Sequence, residues 1–196
     1  MAGLSIGMKR RETTHREGKH SRVDIVKKVT VEIWASNLTL DLFKADCLIA
    51  AWDVETGKQV YSRRVADLDL LANQSTEIIS LPVPATPGNE NRTVVAAYLC
   101  QESGAPVARH VNWPEPFKHL HLQKPSQLRV ELDVDGEAVQ ISAEVSVKGL
   151  AVDCTDESVR FDDNLVDIVP GESMRIGVRG ASKETVLTTQ YLGMMT

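Results

Sequence analysis

The stretch Leu128-Arg129-Val130-Glu131-Leu132-Asp133-Val134-Asp135-Gly136-Glu137-Ala138-Val139-Gln140-Ile141-Ser142 decides how this chain is read. Leu128, Val130, Leu132 and Val134 alternate with Arg129, Glu131 and Asp133. Successive side chains of a strand point to opposite faces, so this run has one apolar face and one wet face. Asp135-Gly136 then offers the backbone freedom that a two-residue hairpin turn requires. The returning run places Val139, Ile141, Ala143, Val145 and Val147 on the apolar face, with Gln140, Ser142 and Glu144 outside. A sheet that is apolar on one face needs a second layer, and the remaining sequence supplies it.

Towards the carboxyl end, Leu150 to Cys154, Val159 to Phe161, Leu165 to Val169, Met174 to Val178 and Val186 to Leu192 read as further short strands, with turns at Asp162-Asp163-Asn164 and Pro170-Gly171-Glu172. Asp and Asn suit such turns because they hydrogen-bond their own backbone, and Gly supplies positive φ. About seven short strands in so few residues is the count of an immunoglobulin-like sandwich. Towards the amino end stands Val111-Asn112-Trp113-Pro114-Glu115-Pro116-Phe117-Lys118, where two prolines exclude a helix and favour a stiff, extended connection. Before it the period of two returns. Val29, Val31, Ile33 and Ala35 alternate with Thr30, Glu32 and Ser36, with Trp34 on the outer face. Lys44 to Val54, Gln59 to Val65, Glu77 to Leu81, Thr93 to Gln101 and Val107 to Val111 follow, with a short hairpin at Glu55-Thr56-Gly57-Lys58 and a loop over 82–90. Ala66 to Asn73 fits either a loop or one helical turn. The fold expected is all-β: two antiparallel, immunoglobulin-like β-sandwiches in tandem, over residues 28–113 and 114–196, preceded by a basic connector over 1–27.

Composition agrees with a folded core and narrows the partners. The chain has 196 residues, 42% apolar and 25% charged, which suffices to bury a core. Its net charge of −5 is uneven: residues 1–28 carry +5 and the rest −10. The basic head lacks interleaved aromatics, so a solvated connector is preferred to a nucleic-acid arm. No apolar run approaches the roughly 20 residues that span a bilayer. A signal peptide needs charge before a long apolar core, the reverse of the order at Met1 to Arg11. An intracellular chain is therefore expected, or else the tail of a longer secreted precursor. Only in a secreted chain do the sequons Asn37-Leu38-Thr39, Asn73-Gln74-Ser75 and Asn91-Arg92-Thr93 have meaning. Cys47, Cys100 and Cys154 give no even disulfide framework. Cys47 and Cys100 fall on expected strands, as an inter-sheet pair would, but buried free thiols are the simpler reading.

Few residues are candidates for chemistry. Asp162, Asp163 and Asp167 form a dense carboxylate cluster. A calcium role is conceivable because hard cations take several oxygen ligands, but the spacing and glycine of a helix-loop-helix calcium site are missing. A turn-forming role is expected. His119 and His121 could share one face of a strand as zinc ligands, yet no third ligand is evident, and they read as linker residues. Trp34, Trp52 and Trp113 could stack on a sugar ring, Trp113 beside its prolines foremost, although packing is the commoner use of such a side chain. No nucleophile elbow and no phosphate-cradling glycine loop is present.

Several stretches, in order, resemble one family. Phe161-Asp162-Asp163-Asn164 and Pro170-Gly171-Glu172, bracketing one short strand, are similar to turns of the last immunoglobulin-like domain of the β-mannosidases of glycoside hydrolase family 2. Ala2-Gly3-Leu4-Ser5-Ile6-Gly7-Met8-Lys9-Arg10 looks like the exit from that family's catalytic barrel. Val31-Glu32-Ile33-Trp34-Ala35-Ser36-Asn37 and Ala72-Asn73-Gln74-Ser75-Thr76 resemble parts of the sandwich that follows. Asn112-Trp113-Pro114-Glu115-Pro116-Phe117-Lys118 is similar to the interdomain junction of fungal members. The resemblance implies a retaining hydrolase with a glutamate acid/base and a glutamate nucleophile on barrel strands. Neither motif has a counterpart around Glu55, Glu77, Glu115, Glu131, Glu144, Glu157 or Glu172. The expected role is thus a non-catalytic accessory portion that partners a catalytic barrel, without catalytic, cofactor or metal residues. The alternative is a free-standing module binding a mannan-type glycan or a protein. Neither reading involves nucleic acid or membrane.

Overall fold

The computed structural model of the chain describes residues 3–17, 24–83 and 92–194, with the side chains of 15–17 and 24–27 outside that description. The described residues form fourteen strands and one short 3₁₀ turn, and every strand pair is antiparallel. They divide into two compact units: residues up to Asp53 with Gln59–His119, and Val54–Lys58 with Leu120 onward. The division therefore falls after His119 and not at Trp113-Pro114. Asn112 is tied to the first unit by Arg10, and Trp113 and Pro114 are buried.

The first unit holds β1 (Leu4–Glu17), β2 (Asp24–Asn37), β3 (Phe43–Asp53), β4 (Gln59–Leu70), β5 (Gln74–Pro82), β6 (Thr93–Cys100) and β7 (Pro106–Asn112). One sheet has the order β1-β2-β5 and the other β4-β3-β6-β7. Ile6, Met8, Val31 and Ile33 of the first share a core with Cys47, Ile49, Val95 and Leu99 of the second. The expected connector is corrected here. Residues 4–17 pair with β2 from Leu4↔Asn37 to Glu17↔Asp24. Leu4, Ile6 and Met8 are buried in alternation, but the pattern breaks at Lys9-Arg10-Arg11 and so looks solvated when read alone. In the sheet, Arg11 meets Glu32 of the neighbouring strand at 2.5 Å. Residues 66–70, ambiguous in sequence, continue β4. A bulge at Asp67, with φ of 58°, interrupts the register there, and its amide donates to Asp46. The loop expected over 82–90 lies beyond Val83 outside the described residues, as does the sequon at Asn91.

Asn37, the last residue of β2, organises the end of this sandwich. It is fully buried. Its Nδ2 donates to the carbonyls of Asp41 and Leu70, each at 2.8 Å. Its Oδ1 accepts from the Thr39 amide at 2.9 Å and the Thr39 hydroxyl at 2.7 Å. Two donors and two acceptors exhaust a side-chain amide. Its sequon is consequently inaccessible in this fold.

The cysteines are free. Cys47 lies opposite Leu99, and Cys100 opposite Asp46, on adjacent strands of one sheet with their side chains on opposite faces. No inter-sheet pair exists. Burial pushes the Cys47 thiol up to about 12 and also raises that of Cys100. Thiolate is the reactive form. In native chain at pH 8, a thiol-specific chromogenic disulfide should titrate Cys154, which is half-buried, within minutes. Cys47 should react only on unfolding, and equal rates for all three would contradict this packing.

The second unit holds β8 (Arg129–Leu132), β9 (Ala138–Ser142), β10 (Val147–Cys154), β11 (Arg160–Phe161), β12 (Val166–Ile168), β13 (Ser173–Arg179) and β14 (Leu187–Gln190). Its sheets are β11-β13-β9-β8 and β12-β10-β14. Val139, Ile141 and Ile176 of one meet Leu150, Val152 and Ile168 of the other in a single core. Two details differ from the sequence reading. Val134 is 78% exposed, because the strand ends at Leu132 and Asp133 closes a longer turn. The Asp133 carboxylate accepts from the amides of Glu137 and Ala138. The run 139–147 is also two strands. The chain steps between sheets at 144–146 while Ala143, Val145 and Val147 stay buried, so its alternation never reports the crossing.

Candidate functional site

The carboxylates expected as a cluster are aimed apart. Asp162 accepts from Arg179 at 2.8 Å, and its Oδ2 lies over Gly177, where a Cβ would come within 2.3 Å. Asp163 accepts the Asn164 amide, and Asp167 accepts the Gly149 amide at 2.8 Å with Lys148 nearby. Asn164 uses its side-chain amide to bond both Val152 N–H and Val152 C=O, at 2.9 and 2.8 Å, like one more rung of a ladder. The segment is a turn stapled to three neighbours. Among the described residues, no three His, Cys, Asp or Glu side chains are grouped to hold a metal. His119 closes the 3₁₀ turn Phe117–His119 and His121 follows in irregular chain, both exposed, so they do not share a strand face as the zinc reading required.

Trp113 is 5% exposed and Trp52 6%, which removes both as sugar platforms. Trp113 adjoins a concavity of about 550 Å³ bounded by Met8, Arg10, Glu12, Asn112, Glu115 and Pro116. Within it Arg10 reaches from β1 to Asn112 Oδ1 at 2.8 Å and to the Thr93 carbonyl at 2.7 Å. Burial pushes its guanidinium down to about 10, against the opposing pull of Glu12 and Glu115. Arg10 thus ties the stretch read as a barrel exit to the stretch read as an interdomain junction, two motifs a hundred positions apart.

The remaining tryptophan borders a second concavity. Trp34 stands on the outer face of β1-β2-β5, directly opposite Gly7. Its indole lies over that glycine: a Cβ there would sit 2.6 Å from Cε2 and Cζ2. Glycine at position 7 lets the ring lie against the sheet. Arg11, Glu32, Ser75 and Glu77 rim a concavity of about 620 Å³ beside it. The register shifts between Ile33 and Trp34, leaving Ile78 as the extra residue on β5 beside Trp34. The result is a flat, half-buried aromatic surface ringed by hydrogen-bonding groups. The period-two alternation had placed Trp34 outward, but its pairing with Gly7 needed β1, which had been read as connector.

Comparison with known proteins fits both units. Residues 29–119 match a mannosidase Ig/CBM-like domain and residues 122–190 an Ig-fold domain. Over its whole length the chain is 54% identical to β-mannosidase B of Thermothelomyces thermophilus, and it spans 23% of that protein. Over 97% of its length it is 31% identical to β-mannosidase B of Aspergillus terreus, spanning 22%. A β-D-mannosidase from Dictyoglomus thermophilum shares the fold over 92% of this chain and 21% of its own, with TM-score 0.58 and 15% identity. An exo-chitosanase of Amycolatopsis orientalis does so over 91% and 25%, with TM-score 0.56 and 16% identity. The chain spans about a quarter of the length of the curated relatives it matches.

Proposed function

The chain belongs to the C-terminal immunoglobulin-like portion of the β-mannosidase family, and from that premise we propose that it supports a catalytic barrel acting on terminal β-mannosides. The observation that carries this is the ordered match of both domains, over residues 29–119 and 122–190, within only a quarter of the relatives' length. Chemistry supports it. A retaining glycosidase needs two carboxylates about 5–5.5 Å apart across the scissile bond. Asp162, Asp163 and Asp167 are instead bonded to three different partners, Arg179, the Asn164 amide and the Gly149 amide. The purified chain should release no chromophore from a chromogenic β-mannoside above the buffer rate. Turnover that disappears in Asp162→Asn or Asp163→Asn would overturn the non-catalytic assignment.

The Trp34 face favours a second reading, in which the first unit also binds a neutral glycan. A sugar's apolar face stacks on indole while its hydroxyls use groups such as Glu77 and Ser75. Because Trp52 and Trp113 are buried, fluorescence changes on titration with manno-oligosaccharides should come from Trp34 and vanish in Trp34→Ala. A flat titration through the millimolar range would rule this reading out.

A further inference from the structure

At one end of the first sandwich the chain exposes leucine repeatedly. Leu40 is 92% exposed, Leu38 69%, Leu71 51% and Leu42 50%. Single exposed leucines are ordinary, but four on two adjoining loops are not. Nor is this a loose loop. Asn37 fixes it from below through Thr39, Asp41 and Leu70. The Asn73 amide donates to the Thr39 carbonyl at 3.1 Å, joining the turn that carries Leu71 to the loop that carries Leu38 and Leu40. The structure spends a fully buried, fully bonded amide on holding these leucines outward.

We propose that the loop 38–42 together with Leu71 is the surface on which the catalytic portion of a β-mannosidase docks. The inference rests on the accessory-domain reading above. The occupant is chosen by where the additional length of such relatives would join. A relative 54% identical to this chain throughout is more than four times as long, and the match lies at its carboxyl end. The rest of such a polypeptide enters at the amino end of β1. There the Gly3 carbonyl accepts the Leu38 amide at 2.7 Å. A domain arriving at Gly3 emerges beside the leucines. Other exposed apolar side chains, such as Val134 and Leu165, sit on separate turns of the second unit.

The test replaces the matching carboxyl-terminal segment of the Thermothelomyces thermophilus enzyme with this chain, as wild type, as Leu38→Asp/Leu40→Asp and as the control Val134→Asp. The same substitutions are made in the isolated chain. The double substitution should lower the chimera's Tm by about 5 °C while moving the isolated chain by no more than about 1 °C, and the control should move neither. In the wild-type chimera, amide exchange at Leu40 and Leu42 should slow about tenfold relative to the isolated chain. This second reading holds even if the double variant folds poorly. An active wild-type chimera with unchanged exchange at these amides and a double variant of equal Tm would overturn the docking surface and leave the accessory reading standing. A folded wild-type chimera that does not hydrolyse the mannoside would overturn the accessory reading, and the docking surface with it.

Discussion

Asn37→Ala is expected to destabilise the first unit by about 3–4 kcal/mol, read as a lower urea midpoint at unchanged m-value. The side chain is fully buried and makes four hydrogen bonds, so truncation leaves the Leu70 and Asp41 carbonyls and the Thr39 amide short of partners around a new void. Each buried polar group left unpaired costs about 1–3 kcal/mol, whereas losing an exposed bond costs far less. Asn37→Asp sharpens the test. It keeps the acceptors for Thr39 but turns a carboxylate on two carbonyls, so it should cost at least as much as alanine. Ser36→Ala, next in sequence, removes only a hydroxyl pair with exposed Ser75 and should cost under about 0.5 kcal/mol. If Asn37→Ala and Ser36→Ala have the same midpoint, the cage does not hold the loop. Any docking surface built from Leu38 and Leu40 would then lose its support.

Ile141→Ala should cost about 2–5 kcal/mol in the second unit, through lost transfer energy and the cavity left behind. Ile141 is fully buried, pairs with Val130 and Met174 across two strands, and belongs to the core formed by both sheets. Ser142, one residue on, is half-buried at the strand end, and Ser142→Ala should change stability by less than about 1 kcal/mol. Urea unfolding of the whole chain, followed by signals from each unit, separates the two substitutions. Equal costs would mean that the β9 alternation does not face the core as described.

Much of the fold could be read directly because its cause is local. Strand faces follow from alternation at Val29–Ala35 and Leu128–Leu132, and turns follow from Asp, Asn and Gly. The ordered turns also carried the resemblance that family matching then bore out. Legibility failed where the local pattern was short or ambiguous. β1 shows three alternating apolar residues before a basic run, and that run has a reason to lie in a sheet only once Arg11 meets Glu32 on β2 and Arg10 meets Asn112 and the Thr93 carbonyl. The candidate site fared worse. Trp113 looked the best sugar platform because two prolines follow it closely, yet it is buried. Trp34 looked ordinary because the glycine beneath it lies 27 positions earlier.

By itself, then, the sequence determined that this is an all-β chain, which residues face inward along most strands, and where many of the turns fall. Those properties belong to a residue and its immediate neighbours, and a period of two expresses them without reference to anything distant. Tertiary structure alone decided that residues 4–17 are a strand and that the indole of Trp34 lies on Gly7. It also decided that Arg10 reaches Asn112, that Asn37 locks a leucine loop outward, and that the 139–147 run changes sheets midway. Each of these depends on which side chains meet across the fold or on which sheet receives a strand. A pattern that repeats every two residues is the same on either side of such a meeting.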